Sequence, residues 1–394
     1  MMLSTKLKDG LNAAQLTRIA RLGAFALFLS TIEYMIPKPV PFMRVGLANV
    51  PIMISLQLLS PEGFIVLVLL KVLSQALVNG TIFSYIILFS LGGSTASSLV
   101  MYGLYHGASK HFSFLGISIA GAMTSNIVQL VMSRYIVFGP SVWLIAPPFL
   151  IMGLITSIIL GLFVERFVHS SLWFAQQSSQ QSDRIDESSG DLVSRSIPGE
   201  TTLWDLRLIT GLLVLPAFLL QPTLTGSIIL AVLFIIYAVV HNRSFRLLPN
   251  LILLFSVVFA NLLQKNGLVL TEVFGYPITL GALRIGVKKA CTLIGMIYLS
   301  QFMVSNKPQL PGRMGNLISL QLYYFQRLTE LWKNKNGEEK GFFTRLDRIL
   351  FSLDSIRRKE IKPKKIYSEN NWSIWYLFLI LISWGGVAFG AFFG

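Results

Sequence analysis

Residues 143–167 read WLIAPPFLIMGLITSIILGLFVERF, and the first charged side chain in that run is Glu165. An α-helix needs roughly 20 consecutive, mostly apolar residues to cross the hydrocarbon of a bilayer, and this run supplies them. Working outward, comparable runs stand at about 17–36, 46–59, 63–79, 82–105 and 113–138 on its N-terminal side. On its C-terminal side they stand at about 204–221, 226–241, 247–264, 281–304 and 372–393. The run at 46–59 is short and follows Pro37, Pro39 and Pro41, so a tilted or re-entrant segment is expected there. The expected fold is all-α: a polytopic integral membrane protein with about 11 transmembrane helices in two bundles.

Composition agrees with that reading. Of 394 residues, 53% are hydrophobic and 13% charged, about half the charged share of a soluble domain. Cys291 is the only cysteine, which excludes an intramolecular disulfide and a cysteine-cluster metal site. His106, His111, His169 and His241 lie too far apart to share a metal ion through a local ligand spacing. The net charge of +15 resides in loops between the apolar runs, the positive-inside pattern, so membrane lipid rather than nucleic acid is the expected partner of these charges. No small-residue cleavage site follows the first run, so the chain is expected to stay whole in the cell membrane with a cytoplasmic N-terminus.

Between about 170 and 203 the sequence turns polar, with Gln176-Gln177-Ser178-Ser179-Gln180-Gln181-Ser182 and the acids Asp183, Asp186, Glu187 and Asp191. This reads as a flexible cytoplasmic linker between a unit at 1–169 and a unit at 204–394. A second polar segment, 305–371, holds 14 Lys and Arg against 7 Asp and Glu and is placed in the cytoplasm. Within it Leu317, Leu320, Tyr324, Leu328 and Leu331 form one apolar stripe, and Phe342, Phe343, Leu346, Ile349, Leu350, Leu353 and Ile356 form another. Two amphipathic helices at about 310–360 are predicted, lying either on lipid headgroups or against a soluble partner.

No catalytic constellation is present: the chain lacks a phosphate loop, an aspartate-rich diphosphate site, GxSxG and HExxH. The chain is expected not to be an enzyme, and any ATP must be bound by a separate subunit. The polar residues carried inside apolar spans of the first half include Glu33, Asn49, Gln57, Lys71, Gln75, Asn79, Asn126, Gln129 and Arg134. A lone charge in hydrocarbon costs at least about 2.5–3.5 kcal/mol, so Lys71 and Arg134 should face the bundle interior, an aqueous cavity or the interface. Asn49, Lys71, Asn79, Asn126 and Gln129 are the candidate substrate-binding residues, the structural alternative being hydrogen bonds between helices or a Glu33–Lys71 pair. The small residues at 92–98 and at Gly116, Ser118, Gly121 and Ala122 favour close helix packing over a phosphate cradle.

Gly46-Leu47-Ala48-Asn49-Val50, Asn79-Gly80-Thr81, Ser90-Leu91-Gly92-Gly93, and residues 116–122 followed by Asn126 and Gln129 occur in that order. Over about 17–168 they resemble the membrane family called heptaprenyl diphosphate synthase component I, or Gx transporter. That resemblance implies a six-span, substrate-binding S component of an energy-coupling factor (ECF) transporter. Residues 204–392 resemble, more weakly, the transmembrane T component of such transporters. The resemblance rests on Ile278-Thr279-Leu280-Gly281, on Leu299-Ser300-Gln301 near the end of the 281–304 run, and on two amphipathic helices before a last span. It implies coupling to ABC-type ATPase subunits, for which the nearest candidates here are Arg313, Arg357 and Arg358; the alternative for these is ordinary positive-inside charge.

Together the resemblances imply a fused S-like and T-like membrane component that moves a small organic solute using ATP hydrolysed by partner subunits. A flavin is the first choice of solute, an isoprenoid or quinone precursor the second, and no covalently bound cofactor or metal is expected. The competing expectation is a membrane anchor or accessory subunit of a prenyl-diphosphate synthase or redox complex, without transport.

Overall fold

The computed structural model describes residues 13–35, 45–107, 112–179, 206–241, 245, 247–264, 267–273, 276–304, 312–333, 342–354 and 374–393. Among them are 14 α-helices, two short 3-10 turns and one β-hairpin. A helix stands at each of the eleven apolar runs. In the first half these are α1 (Ala13–Met35), α2 (Val50–Leu58), α3 (Pro61–Val78), α4 (Tyr85–Gly107), α5 (Phe114–Ile136) and α6 (Val142–Ser170). After a short helix α7 (Leu172–Ser179), the second half has α8 (Leu206–Leu219), α9 (Leu224–Val240), α10 (Leu247–Leu262) and α11 (Leu280–Met303). The amphipathic pair α12 (Gly312–Lys333) and α13 (Phe342–Asp354) precedes the last helix, α14 (Ile374–Phe393). The protein is thus an all-α membrane protein; among the described residues four helices, α3 to α6, qualify as full crossings by length and apolarity alone.

Helix starts follow local chemistry. Ser60 and Ser113 accept from the backbone N–H groups of Gly63 (3.4 Å) and Gly116 (3.3 Å), with Pro61 opening α3. Thr223 and Thr279 cap α9 and α11 in the same way. Each hydroxyl meets a donor that the helix itself leaves unpaired.

The small residues of α4 to α6 form the expected close seams. A Cβ on Gly161 would stand 2.8 Å from the Cα of Leu115, and one on Gly121 would overlap Met101. Ser118 Oγ donates across the α5–α6 seam to the carbonyl of Ser157 (2.8 Å).

Two apolar cores result. The first joins α1, α2 and α3, the Met101, Ile117 and Leu160–Phe167 ends of α4 to α6, α7, and the apolar faces of α12 and α13. The second joins α8 to α11 and α14 with the opposite ends of the α4–α6 hairpins, around Phe89, Phe138 and Phe149. The two halves of the chain are therefore interlocked rather than laid side by side. Two elements depart from the sequence reading. Residues 172–179, polar enough to read as linker, form α7; residues 180–205 lie outside the described set. Val269–Val273 and Tyr276–Thr279 pair antiparallel as β1 and β2 just before α11, so the all-α fold carries one hairpin.

Candidate functional site

The interior of the first bundle is built around Gly46. Its backbone lies at φ +96°, a conformation that favours glycine, and it lets the chain turn sharply into the 3-10 turn Leu47–Asn49. Glu33, buried near the end of α1, holds that turn: its carboxylate accepts from the N–H of Val45 (2.9 Å) and of Gly46 (3.2 Å). The turn delivers Asn49, whose Oδ1 accepts from the ammonium of Lys71 at 2.5 Å. Lys71 is 3% exposed in the middle of α3, so the amide dipole of Asn49 meets a cation that hydrocarbon would penalise. The Gly-Leu-Ala-Asn motif thus has a direct physical purpose, and Asn49 and Lys71 form one unit.

Asn126 and Gln129 enter two different seams of α5. Asn126 points at Gly153 of α6, where a Cβ would collide with its Nδ2. Gln129 points at Gly93 of α4, a Cβ there standing 2.8 Å from its Nε2, and donates to Ser125 Oγ (3.1 Å). Both are buried, and among the described residues neither Asn126 Nδ2 nor Gln129 Oε1 has a hydrogen-bond partner; the same holds for Ser90 Oγ and Ser97 Oγ on the facing side of α4. Leaving such an atom unmet costs about 1–3 kcal/mol. Asn79 ends α3 half-buried, beside Gly80, which at φ +65° packs on Gln301 of α11. There the two halves also share a hydrogen bond, from the N–H of Phe83 to Ser300 Oγ (2.9 Å). Arg134 is exposed in the last turn of α5 and lies over the ring of Trp143 (5.9 Å to its centroid), the interface placement expected of a snorkelling arginine.

The amphipathic helices take neither of the two positions expected for them. Their apolar stripes face the first bundle: Leu317, Leu320, Tyr324 and Leu328 of α12, and Leu346, Ile349 and Leu350 of α13, are all buried in the first core. α12 lies against α1 and α3, where Gln321 Nε2 donates to Ser74 Oγ (2.8 Å), Arg21 covers the Tyr324 ring and Phe28 meets Trp332 edge-on. α13 docks at the end of α6. Asp347 accepts from the N–H of Leu172 (3.1 Å), the N–H of Trp173 (3.2 Å) and the hydroxyl of Ser171, capping α7 from 174 residues away. Phe343 stacks on Phe163 at 4.6 Å, and Arg345 covers Trp332 at 4.4 Å. Sequence periodicity locates these faces but does not name what they cover, and nothing in the local pattern marks Asp347 as a cap. Of the three arginines expected to couple to an ATPase, Arg313 stands in the first turn of α12, and Arg357 and Arg358 lie outside the described residues.

Comparison with known families agrees with the motifs of the first half. Residues 22–167 match the family heptaprenyl diphosphate synthase component I, and residues 204–306 match a domain of unknown function (DUF8519). No curated protein and no solved structure matches the chain.

Proposed function

We propose that a unit of the heptaprenyl diphosphate synthase component I type is here fused to a coupling unit, the whole acting as a membrane component of an ECF-type, ATP-dependent transporter. Residues 1–169 would bind a small organic solute and 204–394 would couple it to ABC-type ATPase subunits, across a linker at 170–203. The observation that carries this reading is the seating of α12 and α13 on the first bundle through Gln321–Ser74 and Asp347–α7. Motion of these two helices reaches α1, α3 and the end of α6 directly, and through α3 it reaches the Lys71–Asn49 unit. An ATPase pushing on α12 and α13 from the cytoplasm would tip the bundle and change access to its interior. The unmet polar atoms of Asn126, Gln129, Ser90 and Ser97 suit a solute with amide-like donors and acceptors, of which a flavin is the first choice.

The second reading, a membrane subunit that anchors a prenyl-diphosphate synthase or redox enzyme, is favoured by the family's description. Gentle purification of the tagged chain from its native membrane, with mass spectrometry of what accompanies it, separates the two. ABC-type ATPases in the eluate support the transporter, and a flavin in its extract names the solute. A soluble synthase or redox enzyme without an ATPase contradicts transport and leaves α12 and α13 as a brace for the anchor.

A further inference from the structure

An open-sided cavity of about 670 Å³ lies between the two halves of the chain, and none of the candidate substrate-binding residues lines it. Its apolar walls include Leu88 and Ile136 from the first half and Leu219, Ile285 and Met296 from the second. Its polar lining includes Gln221, Thr292, Lys288 and Lys289. Such a volume falls in the range of about 300–1,000 Å³ that holds small ligands.

The two lysines are the unusual feature. They sit on α11, one turn beyond Arg284, so three cations fall within the first ten residues of the helix. Lys288 Nζ donates to the carbonyl of Pro222 (2.7 Å) and Lys289 Nζ to Asn261 Oδ1 (3.3 Å). Among the described residues neither meets a carboxylate, and each ammonium keeps donors to spare. Two ammonium groups without a carboxylate at the edge of an apolar cleft call for an anion.

We propose that this cleft binds an anionic amphiphile, with a phosphate or carboxylate head between Lys288 and Lys289 and a hydrocarbon chain along the Leu88, Ile136, Leu219 and Met296 walls. Because the walls come from both halves, the occupant holds the halves together. The site stands whether or not the chain transports a solute.

The test uses the full chain in nanodiscs of neutral phosphatidylcholine, with dodecyl phosphate as the probe and dodecanol and inorganic phosphate as controls. Dodecyl phosphate is expected to raise the melting temperature by about 2 °C or more, and neither control should. The double variant Lys288→Gln/Lys289→Gln should lose the response. Ile285→Trp, which narrows the apolar wall and leaves both lysines, should weaken it at least tenfold in midpoint concentration, so a folding defect in the first variant does not decide the matter. An equal response in wild type and in both variants, or an equal response to inorganic phosphate alone, would overturn the proposal. Repeating the titration in nanodiscs with anionic phospholipid separates the sources: a response abolished there makes the occupant a bilayer lipid, one that persists makes it a separate lipid phosphate, and both uphold the site.

Discussion

Gln321 and Ser74, 247 residues apart in sequence, share a 2.8 Å hydrogen bond with both residues inaccessible to solvent. Ser74 Oγ spends its own proton on the carbonyl of Leu70, so Gln321 supplies the donor that its lone pair accepts. The contact ties a helix of the basic segment 305–371 to the C-terminal half of α3. It is flanked by Gly23, where a Cβ would stand 3.1 Å from Gln321 Cδ and 3.1 Å from Leu70 Cδ2.

Gly23→Leu should therefore wedge α12 away from α1 and lower stability by about 1–3 kcal/mol, the usual cost of overpacking a tight contact. Thermal unfolding in detergent measures it. Gly103→Ala is the matched control, because nothing lies within 4 Å of a Cβ there and the change should be neutral or slightly stabilising. Equal melting points for the two variants would show that α12 does not pack as described.

Asp347→Asn keeps the size of the side chain and removes the charge that caps α7. Amide exchange at Leu172 and Trp173 should quicken about tenfold, corresponding to about 1.4 kcal/mol of lost capping. Exchange read by mass spectrometry on peptides covering α7 checks this, and unchanged protection would refute the capping role.

The Lys71–Asn49 unit predicts a non-additive pair. Asn49→Leu leaves the buried ammonium without its amide and should cost about 2–4 kcal/mol. Adding Lys71→Met should recover most of that loss, giving a double-mutant coupling of at least about 1 kcal/mol. If the unit also contacts solute, the double variant will be well folded and will bind none.

Asn126→Leu separates binding from architecture by sign. Its Nδ2 is buried without a partner among the described residues, so replacing Asn126 with an apolar side chain of similar size should leave stability unchanged or raise it by about 1 kcal/mol. Co-purification of the solute should fall at the same time. A loss of stability with solute retained would make Asn126 a structural residue.

Much of this architecture is legible in the sequence, and the rest is missing for identifiable reasons. Apolar runs as long as the one at 143–167 determine where helices stand, because hydrocarbon leaves the backbone no alternative partners. The stripes Leu317–Leu328 and Leu346–Leu350 likewise appear as buried faces. What they cover is a long-range matter: the periodicity of α12 is the same whether it meets lipid, a partner or α3 of its own chain. Lys71 and Asn49 are marked by polarity inside apolar runs, whereas their pairing depends on the left-handed turn at Gly46. The β-hairpin had a signal in its β-branched residues, Val269, Thr271, Val273, Ile278 and Thr279, obscured by its place between two apolar helices. Lys288 and Lys289 pass unnoticed in sequence because they sit near the start of an otherwise convincing span.

The central claim is that α12 of the second half is seated on α3 of the first. The most direct measurement replaces Ser74 and Gln321 with cysteine in a Cys291→Ser background and treats native membranes with a short bifunctional thiol reagent. The account predicts an intramolecular cross-link, seen as a mobility shift on a denaturing gel, which neither single-cysteine variant gives. Two cysteines that both label with a monofunctional reagent yet never cross-link would contradict it, and would return α12 to the lipid surface or to a partner.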